Sequence, residues 1–75
     1  MLAYILITAE KGLEQEIYNV LSDYSEILGV HILFGEWDLL VKLDVENTEA
    51  LGTFVMDKVR VIEGVQMSST LIVAK

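Results

Sequence analysis

Residues 30–43 read VHILFGEWDLLVKL. Two apolar runs are interrupted by Gly35-Glu36-Trp37-Asp38, a segment whose glycine and acids favour a turn over a continuing strand. Two strands joined by so short a segment are antiparallel neighbours. The spacing therefore predicts strands over 27–34 (ILGVHILF) and 38–45 (DLLVKLDV) with a tight connection between them. That connection holds the only tryptophan of the chain beside two carboxylates, more chemistry than a plain turn requires.

Working outward, each side of the hairpin carries a helix and then a strand. Upstream, Leu13, Ile17, Val20, Leu21 and Tyr24 recur at helical spacing, with Glu14, Gln15, Asn19 and Asp23 on the other face. Before them LAYILIT (2–8) is β-branched and aromatic, and reads as a strand ending at Glu10-Lys11. Downstream, Asn47 or Thr48 offers an N-cap, and Glu49 in the first turn suits the helix dipole. Leu51, Phe54, Val55, Val59 and Ile62 form the apolar stripe of this second helix, with Lys58 and Arg60 in its last turns. Gly64 stops it, and VQMSSTLIVA (65–74) is the last strand. The order β-α-β-β-α-β specifies an α+β, ferredoxin-like sandwich: a four-stranded antiparallel sheet with both helices on one face, in a single domain spanning 1–75.

A sheet covered on one face only should alternate apolar with polar residues. Here Leu2, Tyr4 and Leu6 are apolar, and so are Ala3, Ile5 and Ile7; Leu40 likewise opposes Leu39 and Val41, and Ile27-Leu28 and Ile32-Leu33 repeat the pattern. The face away from the helices is thus too apolar to remain wet, and packing against a second copy covers it most economically. A homodimer through that face is expected.

Composition agrees with burial between chains. Seventy-five residues make a small core, yet 53% of them are hydrophobic, against about 45–50% in ordinary soluble proteins. There is no cysteine, which removes disulfides and thiolate metal sites, and no proline. The longest apolar runs fall short of the ~18 residues of a membrane-spanning helix. MLAYILITAEKG has no basic leading region or small-residue cleavage site, so it does not read as a signal peptide. A cytoplasmic protein without cofactor or metal is expected.

With this topology, the chain resembles the ligand-sensing (RAM) domain of the Lrp/AsnC family of transcription regulators. The resemblance runs through AYILIT and Gly12, through GEWDLLVKL (similar to the family's Gly-x-Tyr-Asp-Leu turn and strand), through VRVIEGV (59–65), and through SSTLIV (68–73), similar to its Thr-x-Thr strand. Lys11 and Glu63 stand where proline is usual, Trp37 where tyrosine is common and Ser68 where threonine is. The resemblance implies dimers that join into ring-like oligomers, with an amino-acid effector between dimers. It also implies candidate ligand-binding residues Gly35, Glu36, Trp37, Asp38, Ser68 and Thr70. Family regulators carry an N-terminal helix-turn-helix domain, whereas this chain begins at the first strand. A stand-alone sensing domain is therefore expected, with full-length Lrp/AsnC-type regulators as possible partners.

The residue chemistry fits that carry-over. Asp38 can accept from an ammonium group, while Ser68 and Thr70, two apart on one strand face, can donate to a carboxylate. Gly35 permits close approach, Trp37 can wall an apolar pocket, and Glu36 would favour a cationic ligand. The bland alternative makes Gly35 and Asp38 ordinary turn residues and Trp37 an interface anchor. Two other functions compete: an assembly partner of full-length regulators with no ligand of its own, and a dimeric α/β-barrel enzyme with His31 as general base. The enzyme needs an enclosed cavity beside His31, and the apolar strand faces argue that this space is filled. A lone histidine without clustered carboxylates is a poor metal site.

Twelve acids against five bases give a net charge of −7, with no basic stripe to meet a phosphate backbone. The pure chain should therefore leave a DNA fragment unshifted in a gel at physiological salt; retardation would overturn this reading.

Overall fold

The alternation of LAYILITA places every second residue of β1 (Leu2–Ala9) on one face, and Ala3, Ile5, Ile7 and Ala9 are all buried there. The computed structural model describes residues 1–75. In it β3 (Leu39–Asp44) runs antiparallel beside β1, setting Leu43 opposite Ala3, Val41 opposite Ile5 and Leu39 opposite Ile7. These cross-strand pairs form the floor of the core. β2 (Ile27–Ile32) pairs with β3 and β4 (Val65–Ile72) with β1, so the sheet order is β2-β3-β1-β4. The expected element order is observed, with β2 and β4 at the edges.

α1 (Glu14–Ser22) lays Ile17 and Leu21, one turn apart, on this floor, and both are fully buried. Val20, expected in the same stripe, lies on its flank and is 39% exposed. α2 (Thr48–Phe54) is capped by Asn47, whose side chain accepts from the Ala50 N–H at 2.8 Å. It buries Leu51 and Phe54 and passes directly into a π-helical turn, Val55–Val59, closed by Arg60 N–H donating to Val55 O at 2.9 Å. The extra residue of a π-turn moves the inward position from 58 to 59. Val59 is thereby fully buried, and Lys58 turns outward to lie 5.2 Å from the Tyr24 ring centroid. The fourteen buried residues are all apolar. No helix is long and apolar enough to cross a membrane.

The strand boundaries agree with expectation to within one residue except at the ends of β2 and β4. β2 ends at Ile32 instead of residue 34, so Leu33–Asp38 forms a six-residue connection. Gly35 (φ +143°) turns it, leaving Phe34 fully exposed, and Leu33 N–H donates to Asp38 O at 2.8 Å to close it. β4 ends at Ile72 instead of residue 74.

The face away from the helices differs in detail. On β1 it carries Leu2, Tyr4 and Leu6, half-buried, and on β4 the exposed Met67 and Leu71. On β2 the residues of this face are Gly29 and His31, because the irregular pairing between Ile27 and Gly29 leaves Leu28 without a partner and 59% exposed. β3 contributes Leu40 with Lys42 and Asp44. The apolar part of the open face therefore centres on β1 and β4, rather than extending evenly over the first three strands.

Gly64 fastens the end of the second crossover to the start of the first. Its φ is +97°, its carbonyl accepts from Glu10 N–H at 2.7 Å, and a Cβ there would lie 2.7 Å from Leu13 Cδ1 and 2.9 Å from Leu13 Cβ. Gly64→Ala should therefore destabilise the fold by about 2–4 kcal/mol, combining left-handed backbone strain with overpacking. Urea unfolding should also show a smaller cost in a Leu13→Ala background, which keeps Cβ and removes Cδ1; equal costs in the two backgrounds would remove the Cδ1 contact from the explanation.

Candidate functional site

Asp38 stands at the entrance of β3, where the end of β1 needs an acceptor. Between Thr8 and Ala9 the pairing of β1 with β4 shifts register, and Asp38 Oδ2 accepts from the Ala9 N–H at 2.7 Å. The Asp38 N–H in turn donates to Ile7 O at 2.8 Å. The half-buried carboxylate is thus fixed to the sheet by its own backbone and by a charge-assisted hydrogen bond. A turn-forming role for Asp38 and a recognition role are compatible, since one oxygen serves the fold and a carboxylate has two.

Asp38 and Gly35 line one open groove of about 500 Å³ with Gly12, Glu14, Gln15, Ile32, Leu33 and Phe34. Its walls come from the start of α1 and from the β2–β3 connection. Glu14 is also anchored, its Oε1 accepting from Gly12 N–H at 3.0 Å. The groove therefore presents two held carboxylates, an apolar wall and no basic side chain. Such a lining accepts a cationic group and leaves an anionic group to be met from elsewhere.

Of the six residues singled out from the sequence, Gly35 and Asp38 come together here. Glu36 is exposed and Trp37 half-buried in the same connection, outside the groove lining. Ser68 lies opposite Ile7 and Thr70 opposite Ile5, so the two share the helix side of β4, as their spacing implies. β1 separates them from β3, which puts Ser68 about 10 Å, two strand spacings, from Leu39. Ser68 borders a groove of about 360 Å³ with Arg60, and Thr70 another of about 300 Å³ with Val55, Met56 and Ile72. Within one chain the two hydroxyls do not face Asp38. Glu14, Gln15 and Phe34 are walls of the groove that sequence reasoning missed, because only the tertiary fold brings the start of α1 to the hairpin connection.

Two other features lie outside this groove. His31 sits exposed on the open sheet face, opposite Leu40, and the groove it borders is open to solvent. Beside α2, a groove of about 470 Å³ is bordered by Glu26, Glu49, Asp57 and Lys58 and holds none of the predicted site residues. Lys58 Nζ lies 3.4 Å from Glu26 Oε2 and 5.8 Å from the Phe54 ring centroid, and Tyr24 and Phe54 pack edge to face. A backbone hydrogen bond first, and Lys58 next, hold the Glu26 carboxyl below its ordinary range. Lys58 is thus engaged in a structural cluster.

Comparison with known proteins places the sequence and the fold. The Lrp/AsnC ligand binding domain matches residues 2–75. The HTH-type transcriptional regulator FL11 of Pyrococcus furiosus is 40% identical over 75 residues, covering 100% of this chain and 49% of that protein. The chain spans about half the length of the curated relatives it matches. Among solved structures, the hypothetical protein PHS023 of Pyrococcus horikoshii is 31% identical with a TM-score of 0.91, over 99% of this chain and 89% of that one. The transcriptional regulator NMB0573 of Neisseria meningitidis, crystallised as a complex with L-Met, is 26% identical with a TM-score of 0.89, over 99% of this chain and 49% of that one. By its sequence over residues 2–75 and by its fold, the chain belongs to the Lrp/AsnC ligand-binding domain family.

Proposed function

We propose that the chain binds an amino acid between subunits and acts in transcriptional or metabolic regulation by changing its state of assembly. The observation that carries this reading is the Asp38 carboxylate, held by Ala9 N–H at the mouth of an open groove turned by Gly35. An ammonium group is met there by Asp38, with Glu14 near by, and an apolar side chain by Ile32, Leu33 and Phe34. The ligand carboxylate finds no donor side chain of opposite charge in that groove, so donors from a second subunit complete the site, with the Ser68 and Thr70 hydroxyls in that role. Glu36 and Trp37 flank the site. The complex of NMB0573 with L-Met supports the ligand class.

Assembly begins with a homodimer through the open sheet face. Leu2, Tyr4, Leu6, Leu40, Met67 and Leu71 share that face, an apolar surface that association removes from water. Larger rings of such dimers bring grooves and β4 strands of neighbouring subunits together. A second reading, that the same surfaces join this chain to full-length regulators, is favoured by its 40% identity with half of FL11.

Sedimentation of dilute protein should give a dimer, and a folded 8.4 kDa monomer would overturn the sheet-face interface. Leu6→Glu should abolish dimerisation or folding, because it buries an unpaired charge.

A thermal-shift screen of the twenty amino acids tests the ligand, since a binder at 100 Kd adds about 2.7 kcal/mol of stability. Asp38→Asn keeps an oxygen for the Ala9 N–H and loses the charge, so it should weaken binding by about 1.5–3 kcal/mol and leave the dimer unchanged. Equal binding by the two proteins would return Asp38 to a purely structural role, and the absence of any binder would favour the assembly-partner reading.

A further inference from the structure

Arg60 is the only arginine of the chain; the other four bases are Lys11, Lys42, Lys58 and Lys75. Its backbone N–H closes the π-turn, but its side chain is exposed and makes no ion pair, the chain's two ion pairs being Met1 with Asp44 and Lys58 with Glu26. Twelve carboxylates were available to take this guanidinium, and the fold gives it none. It borders instead a groove of about 360 Å³ at the start of β4, lined further by Val65, Gln66, Met67 and Ser68 and by no acid.

An irregularity of β4 shapes this groove. Met67 pairs with Thr8 and Val65 with Ala9, so Gln66 between them has no partner on β1. A bulge of this kind re-aims the side chain it carries. Thr8 Oγ1 accepts from the Met67 N–H at 3.0 Å and holds the bulge in place. Ser68 then regains the ladder opposite Ile7. The groove therefore gathers a guanidinium, a carboxamide and a hydroxyl, all of which can donate.

This lining is the converse of the one at Asp38. That groove has carboxylates and no base; this one has a base and no carboxylate. An α-amino acid carries one charge of each sign, and its carboxylate needs a charged donor once water is excluded. Lys58 is engaged with Glu26, Lys42 lies on the open sheet face, and neither Lys11 nor Lys75 borders either groove. Arg60 alone stands free beside one of the predicted hydroxyls. Its planar fork matches the two oxygens of a carboxylate, which a lysine ammonium does not.

We propose that Arg60, Gln66 and Ser68 form a carboxylate-binding site, in which the guanidinium takes both oxygens and the amide and hydroxyl donate from the sides. The site is complete within one chain. Its role as the half that receives the carboxylate of an amino-acid ligand rests on the proposed function, and there Arg60 makes the chain discriminate an amino acid from its carboxamide.

The test is an NMR titration of the intact chain with sodium acetate, against sodium chloride at equal ionic strength. The Nε–H signal of a sole arginine reports the guanidinium directly, and the backbone amides of Gln66, Met67 and Ser68 report the groove. Acetate should shift both sets saturably, and chloride should not. Arg60→Lys keeps a positive charge at the helix end and loses the fork, so it should weaken acetate about fivefold or more, read on the backbone amides. Arg60→Gln should abolish the saturable shift, and both variants should unfold at the wild-type urea midpoint because the side chain is exposed. Equal shifts by chloride, or acetate bound by Arg60→Lys as tightly as by wild type, would overturn the site; tighter binding of inorganic phosphate than of acetate would overturn the carboxylate class. An amino acid that stabilises wild type should bind about tenfold or more weakly as its carboxamide, and Arg60→Gln should lose that preference. An amino acid bound equally by wild type and Arg60→Gln would overturn the role of Arg60 and leave the ligand reading standing. Acetate bound at Arg60 in a chain that binds none of the twenty amino acids would overturn the ligand reading alone.

Discussion

The core depends on β1 being paired along both of its edges while its inner face is closed to water. Ala3, Ile5 and Ile7 are fully buried, with β3 on one side and β4 on the other. Period-two alternation aims these side chains at the helices, and helical spacing returns Ile17, Leu21, Leu51, Phe54 and Val59 onto them. Because the core contains no buried polar side chain, nothing in it demands a partner, and specificity is left to pairing register and to the element ends. Asp38 at Ala9, Asn47 at Ala50 and Gly64 at Glu10 are those ends.

The same logic explains why the candidate site lies where it does. A half-buried carboxylate that already serves the sheet loses little further mobility when it meets a ligand. Its neighbours Gly35, Phe34 and Glu14 come from a turn and from the start of a helix, where side chains project into solvent without disturbing the core. A rigid sheet thus holds the charge, and replaceable walls define what fits around it. The charge balance of the groove, with two carboxylates and no base, gives one chain acceptors for a cationic group there and no charged donor for an anionic one.

Much of this was legible in the sequence, for physical reasons that also mark the boundary of what was not. The strands, the helices and their order follow from periodicities that the backbone imposes, and Asn47, Gly64 and the Lrp/AsnC-like segments were readable residue by residue. The π-turn was not, because Leu51, Phe54, Val55 and Val59 fit an ordinary helix nearly as well, and the choice is made by packing Val59 inward. The longer β2–β3 connection was missed because Leu33 and Phe34 look like strand residues, and only their surroundings show that the ladder has ended. The open face was overestimated on β2 because an irregularity at Leu28 shifts register, and composition cannot reveal register. Of the groove lining, Gly35 and Asp38 were readable from the turn itself. Glu14 and Gln15 are distant in sequence and meet the turn only after folding.

Pairing β1 with β4 joins segments far apart in sequence, for Ala3 lies opposite Ile72. The hairpin β2–β3 and the helix turns form from near neighbours, whereas β4 must wait for the closure of nearly the whole chain, the step with the greatest loop entropy. During synthesis, a partly made chain carries the Phe34 connection long before it carries β4. Its surfaces become available in a fixed temporal order, with the hairpin connection offered before the sheet has its fourth strand.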